Sequence, residues 1–123
     1  MITRIKFVGV YVRDQARALD FFTNKLGFEV LQDEAFGEGL RWIEVAPPGA
    51  ETGLSLFTPP GMEERIGTFS PVVFTCADVR ATYAELLARG VTFTQAPKDE
   101  AWGVSAMFID PDGNTYLLGT SET

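Results

Sequence analysis

The sequence predicts an α+β chain built from two similar halves, each reading strand, helix, strand, strand, strand. Three observations carry this. Short apolar or alternating runs are punctuated by Pro and Gly clusters, which is the pattern of strands and turns. Two stretches of helical apolar spacing each begin after an Asp and stop at a Gly. The order also repeats, with Asp14 and Asp78 lying 64 residues apart and Gly27 and Gly90 lying 63 apart.

In the first half, Val8, Val10 and Val12 alternate with Phe7, Gly9 and Tyr11, which predicts a strand with two distinct faces. Asp14 is placed to cap a helix, because its carboxylate accepts an early helical N–H. Ala18, Leu19, Phe22 and Leu26 follow at helical spacing, and Gly27 ends the run. Phe28–Leu31 is a second strand. Asp33–Gly39, with its acids and two glycines, reads as a flexible, solvated loop. Arg41–Ala46 and Gly53–Phe57 are the third and fourth strands, each closed by a Pro-Pro-Gly sequence or nearly so.

The second half runs in the same order. Ser70–Cys76 is a strand, Asp78 a cap, and Val79, Tyr83, Leu86 and Leu87 an apolar stripe ended by Gly90. Val91–Phe93, Val104–Ile109 and Thr115–Leu118 complete the strands. Asp110-Pro111-Asp112-Gly113-Asn114 is turn chemistry, since proline presets φ and Asp and Asn bond their own backbone. With 123 residues the chain is expected to be one domain, 1–123, whose halves span about 1–60 and about 68–123. Neither half has enough helix to cover both faces of its sheet, so one face needs another cover.

Composition narrows the function. The net charge of −7 argues against nucleic acid and anionic membranes, which need a basic face. No apolar run approaches a bilayer span of roughly 20 residues, and the first residues lack a signal-peptide pattern. One cysteine, Cys76, is expected to be a small buried thiol in a reducing cytoplasm. There is no histidine. This excludes His-ligated metal and Ser-His-Asp or Cys-His catalysis, and leaves only a carboxylate metal site open.

Tyr11-Val12-Arg13-Asp14, Ala18-Leu19-Asp20-Phe21-Phe22, Leu26-Gly27-Phe28 and Phe108-Ile109-Asp110-Pro111-Asp112-Gly113-Asn114 occur in this order across nearly the whole chain. Together they resemble the vicinal oxygen chelate superfamily of glyoxalases, bleomycin resistance proteins and ring-cleaving dioxygenases. The resemblance implies two βαβββ modules forming curved half-barrel sheets with helices outside, and commonly a homodimer. It also implies where metal ligands would fall in the family's enzymes, namely Phe7, Ser55, Pro71 and Leu117. Phenyl and isobutyl groups have no lone pair to give, and a serine hydroxyl alone is a poor ligand. No metal or other cofactor is expected.

Strand alternation then assigns the concave face. Phe7 and Tyr11, Trp42 and Glu44, Ser55 and Phe57, and Leu117 point inward, with Trp102 closing the rim. For the tryptophans, pocket lining and plain packing both stand, because an indole N–H wants a polar partner in either role. Phe7 and Phe57 suit packing, and Glu44 is either a solvated strand residue or a ligand contact. The leading expectation is metal-independent binding, or sequestration, of a planar or cationic small molecule by a cytoplasmic homodimer. The alternative is a metal-free isomerase or lyase using Glu44 or Tyr11 as acid or base. A metal-dependent lyase or dioxygenase is third.

Overall fold

The computed structural model describes residues 1–68 and 72–120. Pro71, one of the four positions implied for metal ligands, and the expected strand start at Ser70 lie outside the described residues. The chain divides into two compact units, Met1–Ile66 and Gly67–Thr123.

The first unit runs β1 (Phe7–Val10), α1 (Gln15–Asp20), a π-helical turn (Phe21–Lys25), β2 (Glu29–Phe36), β3 (Leu40–Ala46) and β4 (Gly53–Leu56). A short 3₁₀ turn, Glu63–Arg65, follows. The strands order β1-β4-β3-β2, with β1 parallel to β4 and the other neighbours antiparallel. Asp14 caps α1 as expected, accepting the Arg17 N–H at 3.0 Å. The helix then widens: the Leu26 N–H reaches back five residues to the Phe21 carbonyl at 3.1 Å.

The α1 segment packs on β3 and β4. Val10, Ala18, Phe22, Ile43, Val45 and Leu56 are fully or almost fully buried there. Each of these side chains larger than Ala18 contributes about 1.5–3 kcal/mol by leaving water.

One expectation fails in this unit. Asp33–Gly39 is not a solvated loop, because β2 extends to Phe36 and pairs with β3 as far as Phe36 opposite Leu40. Gly37, Glu38 and Gly39 make the tight connection, with both glycines at positive φ. The acids are tolerated because the strand lies at the sheet edge and Asp33 pairs with Arg41 across 2.6 Å. The Arg41 guanidinium beside Asp33 holds its carboxyl below the usual carboxylate range.

The second unit repeats the plan with β5 (Val72–Cys76), α2 (Val79–Ala88), β6 (Thr92–Glu100), β7 (Gly103–Ile109) and β8 (Thr115–Thr120). Its order is β5-β8-β7-β6, again with the first pair parallel. Asp78 caps α2 through the Ala81 N–H at 3.0 Å. Here β6 is much longer than the expected Val91–Phe93. Pro97 is accommodated because β6 is an edge strand whose register shifts between Gln95 and Lys98. On the helix face, Phe74, Phe108 and Tyr116 stack with centroids 5.4–6.2 Å apart. Cys76 is half-buried, more open than expected.

The Asp-Pro-Asp-Gly-Asn turn is tied by one carboxylate. Asp110 accepts the backbone N–H groups of Asp112 and Asn114 on one oxygen. Its other oxygen accepts the Asn114 amide and the Tyr116 hydroxyl, at 3.0 and 2.7 Å. The Asn114 side-chain oxygen accepts the Gly67 N–H at 2.9 Å, fixing the start of the unit to its last turn. Burial, together with the Asp110 carboxylate, pushes the Tyr116 phenol far above its ordinary range.

Candidate functional site

The face of the first sheet opposite α1 is set by register. Glu44 pairs with Ser55 and Ser55 with Gly9, while Trp42 pairs with Glu34 and Leu40 with Phe36. Directly paired residues share a face, so the alternating partners Ile43 and Val45 turn to the helix. This is the predicted alternation.

Aromatic rings fill one end of that face. Trp42 lies edge-on to Phe7 with centroids 5.3 Å apart and tilted against Phe57 at 5.5 Å. Phe36 meets Phe57 at 5.3 Å and Trp42 at 6.5 Å. Phe36 is 41% exposed, so the cluster keeps an open side. The sequence does not single out Phe36, because the acids and glycines of its segment have the composition of a loop. The signal that finds it is the continued alternation Gln32, Glu34, Phe36.

Next to the rings is a polar patch. The Trp42 indole N–H donates to Glu44 Oε2 at 2.7 Å. Glu44 is only 5% exposed and Ser55 only 3%. A Cβ built on Gly9 would lie 3.6 Å from the Ser55 hydroxyl and 3.8 Å from the Tyr11 ring, so these two flank the open spot above Gly9. Among the described residues no basic side chain pairs with Glu44, and its Oε1 accepts no hydrogen bond. No buried side-chain oxygen among the described residues lacks a partner, so Oε1 meets solvent, where a further donor or cation can reach it.

Phe7, Trp42, Phe57 and Glu44 are thus brought into contact, with Ser55 and Tyr11 beside them. Leu117 and Trp102 belong to the second unit. Leu117 is half-buried between Val73 and Met107 on neighbouring strands. Trp102 rests on Gly119 of the same sheet.

A cleft of about 670 Å³ also opens beyond the end of β1, lined by Val12, Gln15, Leu40, Arg41, Phe57 and Thr58 with their neighbours. Its polar groups are already committed to structure. Gln15 donates to the Arg41 and Leu56 carbonyls at 2.6 and 2.8 Å, and Thr58 bridges the Val12 N–H and C=O. The Glu44 face is therefore the stronger candidate.

The residues do not fit a metal centre of the family kind. Among the described residues no group of three or more His, Cys, Asp or Glu side chains comes together to hold an ion. Phe7 offers only a ring, and its partner on β4 is Gly53. Leu117 offers only an alkyl group.

This fold with its two repeated units agrees with comparison to known proteins. Residues 4–117 match the Glyoxalase/Bleomycin resistance protein/Dioxygenase superfamily. The chain belongs to that superfamily. A relative, the Bacillus subtilis (strain 168) protein YetH, is 40% identical over 118 residues, covering 96% of this chain and 98% of the relative. The crystal structure of a superfamily member from Sphaerobacter thermophilus DSM 20745 superposes with a TM-score of 0.89 at 35% identity, covering 98% of both chains. TnmS3, an antibiotic binding protein from Streptomyces sp. CB03234, superposes with a TM-score of 0.87 at 38% identity, again over 98% of both chains. The two βαβββ units, each with an open curved sheet, are those of the superfamily. No described helix is long and apolar enough to cross a membrane.

Proposed function

We propose that this superfamily member binds and sequesters a planar, cationic small molecule on the first sheet, without a metal. The observation that carries the reading is the buried Glu44 carboxylate, which takes one hydrogen bond from Trp42 and has no cationic partner among the described residues. A flat ligand slides against Trp42, Phe7, Phe57 and Phe36, where ring contacts are favourable. Its positive group sits by Glu44, with Ser55 and Tyr11 to either side of Gly9 and able to reach polar substituents. A cation beside an indole gains about 0.5–2 kcal/mol, depending on desolvation.

The similarity to TnmS3 supports a binding role, and the lack of a ligand set at Phe7, Ser55 and Leu117 supports a metal-free one. The net charge of −7 draws basic compounds toward the protein. The protein acts in the cytoplasm as a homodimer. Exposed Ile5, Val30 and Leu31 in the first unit supply apolar surface for the partner.

The test is a titration followed by tryptophan fluorescence with an acridinium cation and its neutral acridone counterpart. Tighter binding of the cation supports the reading; equal binding of both overturns the role of Glu44. A probe recovered chemically changed after incubation, with the change lost in Glu44→Gln or Tyr11→Phe, would instead support a metal-free isomerase or lyase using Glu44 or Tyr11 as acid or base.

A further inference from the structure

We propose that Gln15, the first residue of α1, is a positioning residue for the aromatic face of the first sheet; this rests on the reading of that face as the binding site. Its side chain holds β3 and β4 apart, so that Trp42 and Phe57 keep the spacing a broad flat ligand needs.

The first sheet forks. β2 and β3 stay paired as far as Phe36 opposite Leu40. With β4, β3 pairs at Val45–Leu54 and Glu44–Ser55, although β3 begins at Leu40 and β4 runs on to Leu56. Past Leu56 the chain follows β1 instead. The Phe57 N–H donates to the Val10 carbonyl at 3.2 Å. The Thr58 hydroxyl donates to the Val12 carbonyl and accepts the Val12 N–H, both at 2.8 Å. One arm of the fork is therefore β2 with the start of β3, and the other is β1 with the chain leaving β4. The cleft beyond the end of β1 is the space between them, since its lining takes Leu40 and Arg41 from one arm and Val12, Phe57 and Thr58 from the other.

A fork leaves main-chain groups on the inner edge of each arm, and these need partners. Gln15 supplies them. Its Nε2 donates to the Arg41 carbonyl on one arm at 2.6 Å and to the Leu56 carbonyl on the other at 2.8 Å. Its Oε1 accepts the Arg41 N–H at 3.3 Å. A primary amide carries two N–H donors and one acceptor oxygen, so a single side chain ties both arms at a set separation.

Trp42 and Phe57 stand on opposite arms. They lie two positions beyond Glu44 and Ser55, so a ladder zipped that far would set them directly opposite, with Cβ atoms about 4.5–5.5 Å apart. Phe36 touches both rings, so the opening of the fork fixes how all three are disposed. Glu44 sits on the last closed rung, which insulates the cation end of the face from the fork. A face already shaped for its ligand binds more tightly than one that must be reshaped. Without the Gln15 amide the inner edges zip together or take up water, and the rings move with them.

Fluorescence titrations with N-methylacridinium, a broad fused ring system, and N-methylpyridinium, a single ring, test this in wild type, Gln15→Leu and Gln15→Lys. Gln15→Leu removes every donor and should weaken acridinium roughly ten-fold while changing pyridinium less than about two-fold. Gln15→Lys keeps donors for both carbonyls and should hold the wild-type ratio of the two affinities, a ratio that cancels the charge it adds. If Gln15→Leu does not fold, Gln15→Asn, too short to span both arms, takes its place. The Trp42 indole N–H signal of ligand-free ¹⁵N-labelled protein should move in Gln15→Leu and return in Gln15→Lys. The proposal is overturned if the ratio in Gln15→Leu stays at the wild-type value, if both affinities fall together, or if Gln15→Lys does no better than Gln15→Leu. Acridinium binding that weakens in Glu44→Gln but not in Gln15→Leu overturns the positioning role alone. Binding that weakens in Gln15→Leu but not in Glu44→Gln overturns the role of Glu44 and supports the positioning of the rings.

Discussion

Trp42 and Glu44, two positions apart on one strand, face the same way and are joined by an indole N–H···carboxylate bond of 2.7 Å. The bond orients the carboxylate without neutralising it. Glu44 is thus held with one oxygen spent and one available, beside an aromatic surface.

Glu44→Gln should separate binding from stability. The amide oxygen can still accept the Trp42 N–H, so the sheet is preserved. Because the Trp42 bond is kept and the other oxygen meets solvent, the ligand-free protein should keep its stability to within about 0.5 kcal/mol. Cation affinity should fall roughly ten-fold, equivalent to about 1.4 kcal/mol, and affinity for a neutral analogue should barely change. Thermal melts and fluorescence titrations of wild type and variant measure both. A lower melting temperature together with unchanged cation affinity would make Glu44 a structural residue.

Trp42→Ala should abolish the aromatic surface between Phe7 and Phe57. Truncating a half-buried aromatic costs stability of about 3 kcal/mol, at the low end for such changes. Planar ligands should lose at least ten-fold in affinity by isothermal titration. Unchanged affinity for every ligand that binds would move the site off this face.

The alternation that puts Trp42 and Glu44 on one face is legible in the sequence because strand periodicity is local. The two helix caps are legible for the same reason: an Asp before a helical apolar stripe needs no knowledge of the rest of the chain. Phe36 was not legible. Its segment has loop-like composition, and what makes it a strand is the partner strand, including the Asp33–Arg41 pair formed between residues eight apart. The neighbours of Trp102 were hidden for a similar reason, since Gly119 lies on β8 and its closeness to the indole is a tertiary fact. The loss of ligating side chains at Phe7, Ser55 and Leu117 was readable once the resemblance fixed the positions, because it depends on residue type alone.

Protein purified without added metal should hold far less than one equivalent of Zn, Ni, Mn or Fe. Acridinium affinity should be unaffected by EDTA. The motive is the absence of histidine together with Phe7, Ser55, Pro71 and Leu117 at the implied ligand positions. Elemental analysis near one metal per chain, removed by EDTA with loss of binding, would refute it.

In solution the mass should be twice 13.5 kDa. Leu31 is 53% exposed and Val30 is 45% exposed on the edge strand β2. Burying such side chains against a partner contributes about 25 cal/mol per Å² removed from water. Leu31→Glu should shift light scattering toward the monomer at micromolar concentration while leaving the circular dichroism spectrum intact. Wild-type protein that is monomeric at every concentration would remove the dimer.

The last prediction concerns high pH and the Asp110–Tyr116 bond. Tyr116 is fully buried, and its hydroxyl donates to Asp110 at 2.7 Å. Burial first, and the neighbouring carboxylate second, raise the phenol above its ordinary value in the folded state. In the unfolded chain it titrates near its reference value of about 10. Below that pH both states keep the proton and the stabilising contribution is complete. As pH rises through about 10 the unfolded state ionises while the folded state does not, so stability falls progressively. Ultraviolet titration of the folded protein should therefore leave one of its three tyrosines un-ionised until the protein unfolds. Tyr116→Phe should flatten this alkaline loss. The same change frees one site on Asp110, which keeps three other hydrogen bonds, so its cost at neutral pH should be modest, about 1–2 kcal/mol. Asp110→Ala should cost more, about 3 kcal/mol or above, since it removes at once the four hydrogen bonds that the carboxylate accepts from Tyr116, the Asn114 amide and two backbone N–H groups. Denaturant melts at neutral and alkaline pH measure both variants. A Tyr116→Phe protein that loses stability above pH 10 as steeply as wild type would show that other groups govern the alkaline transition.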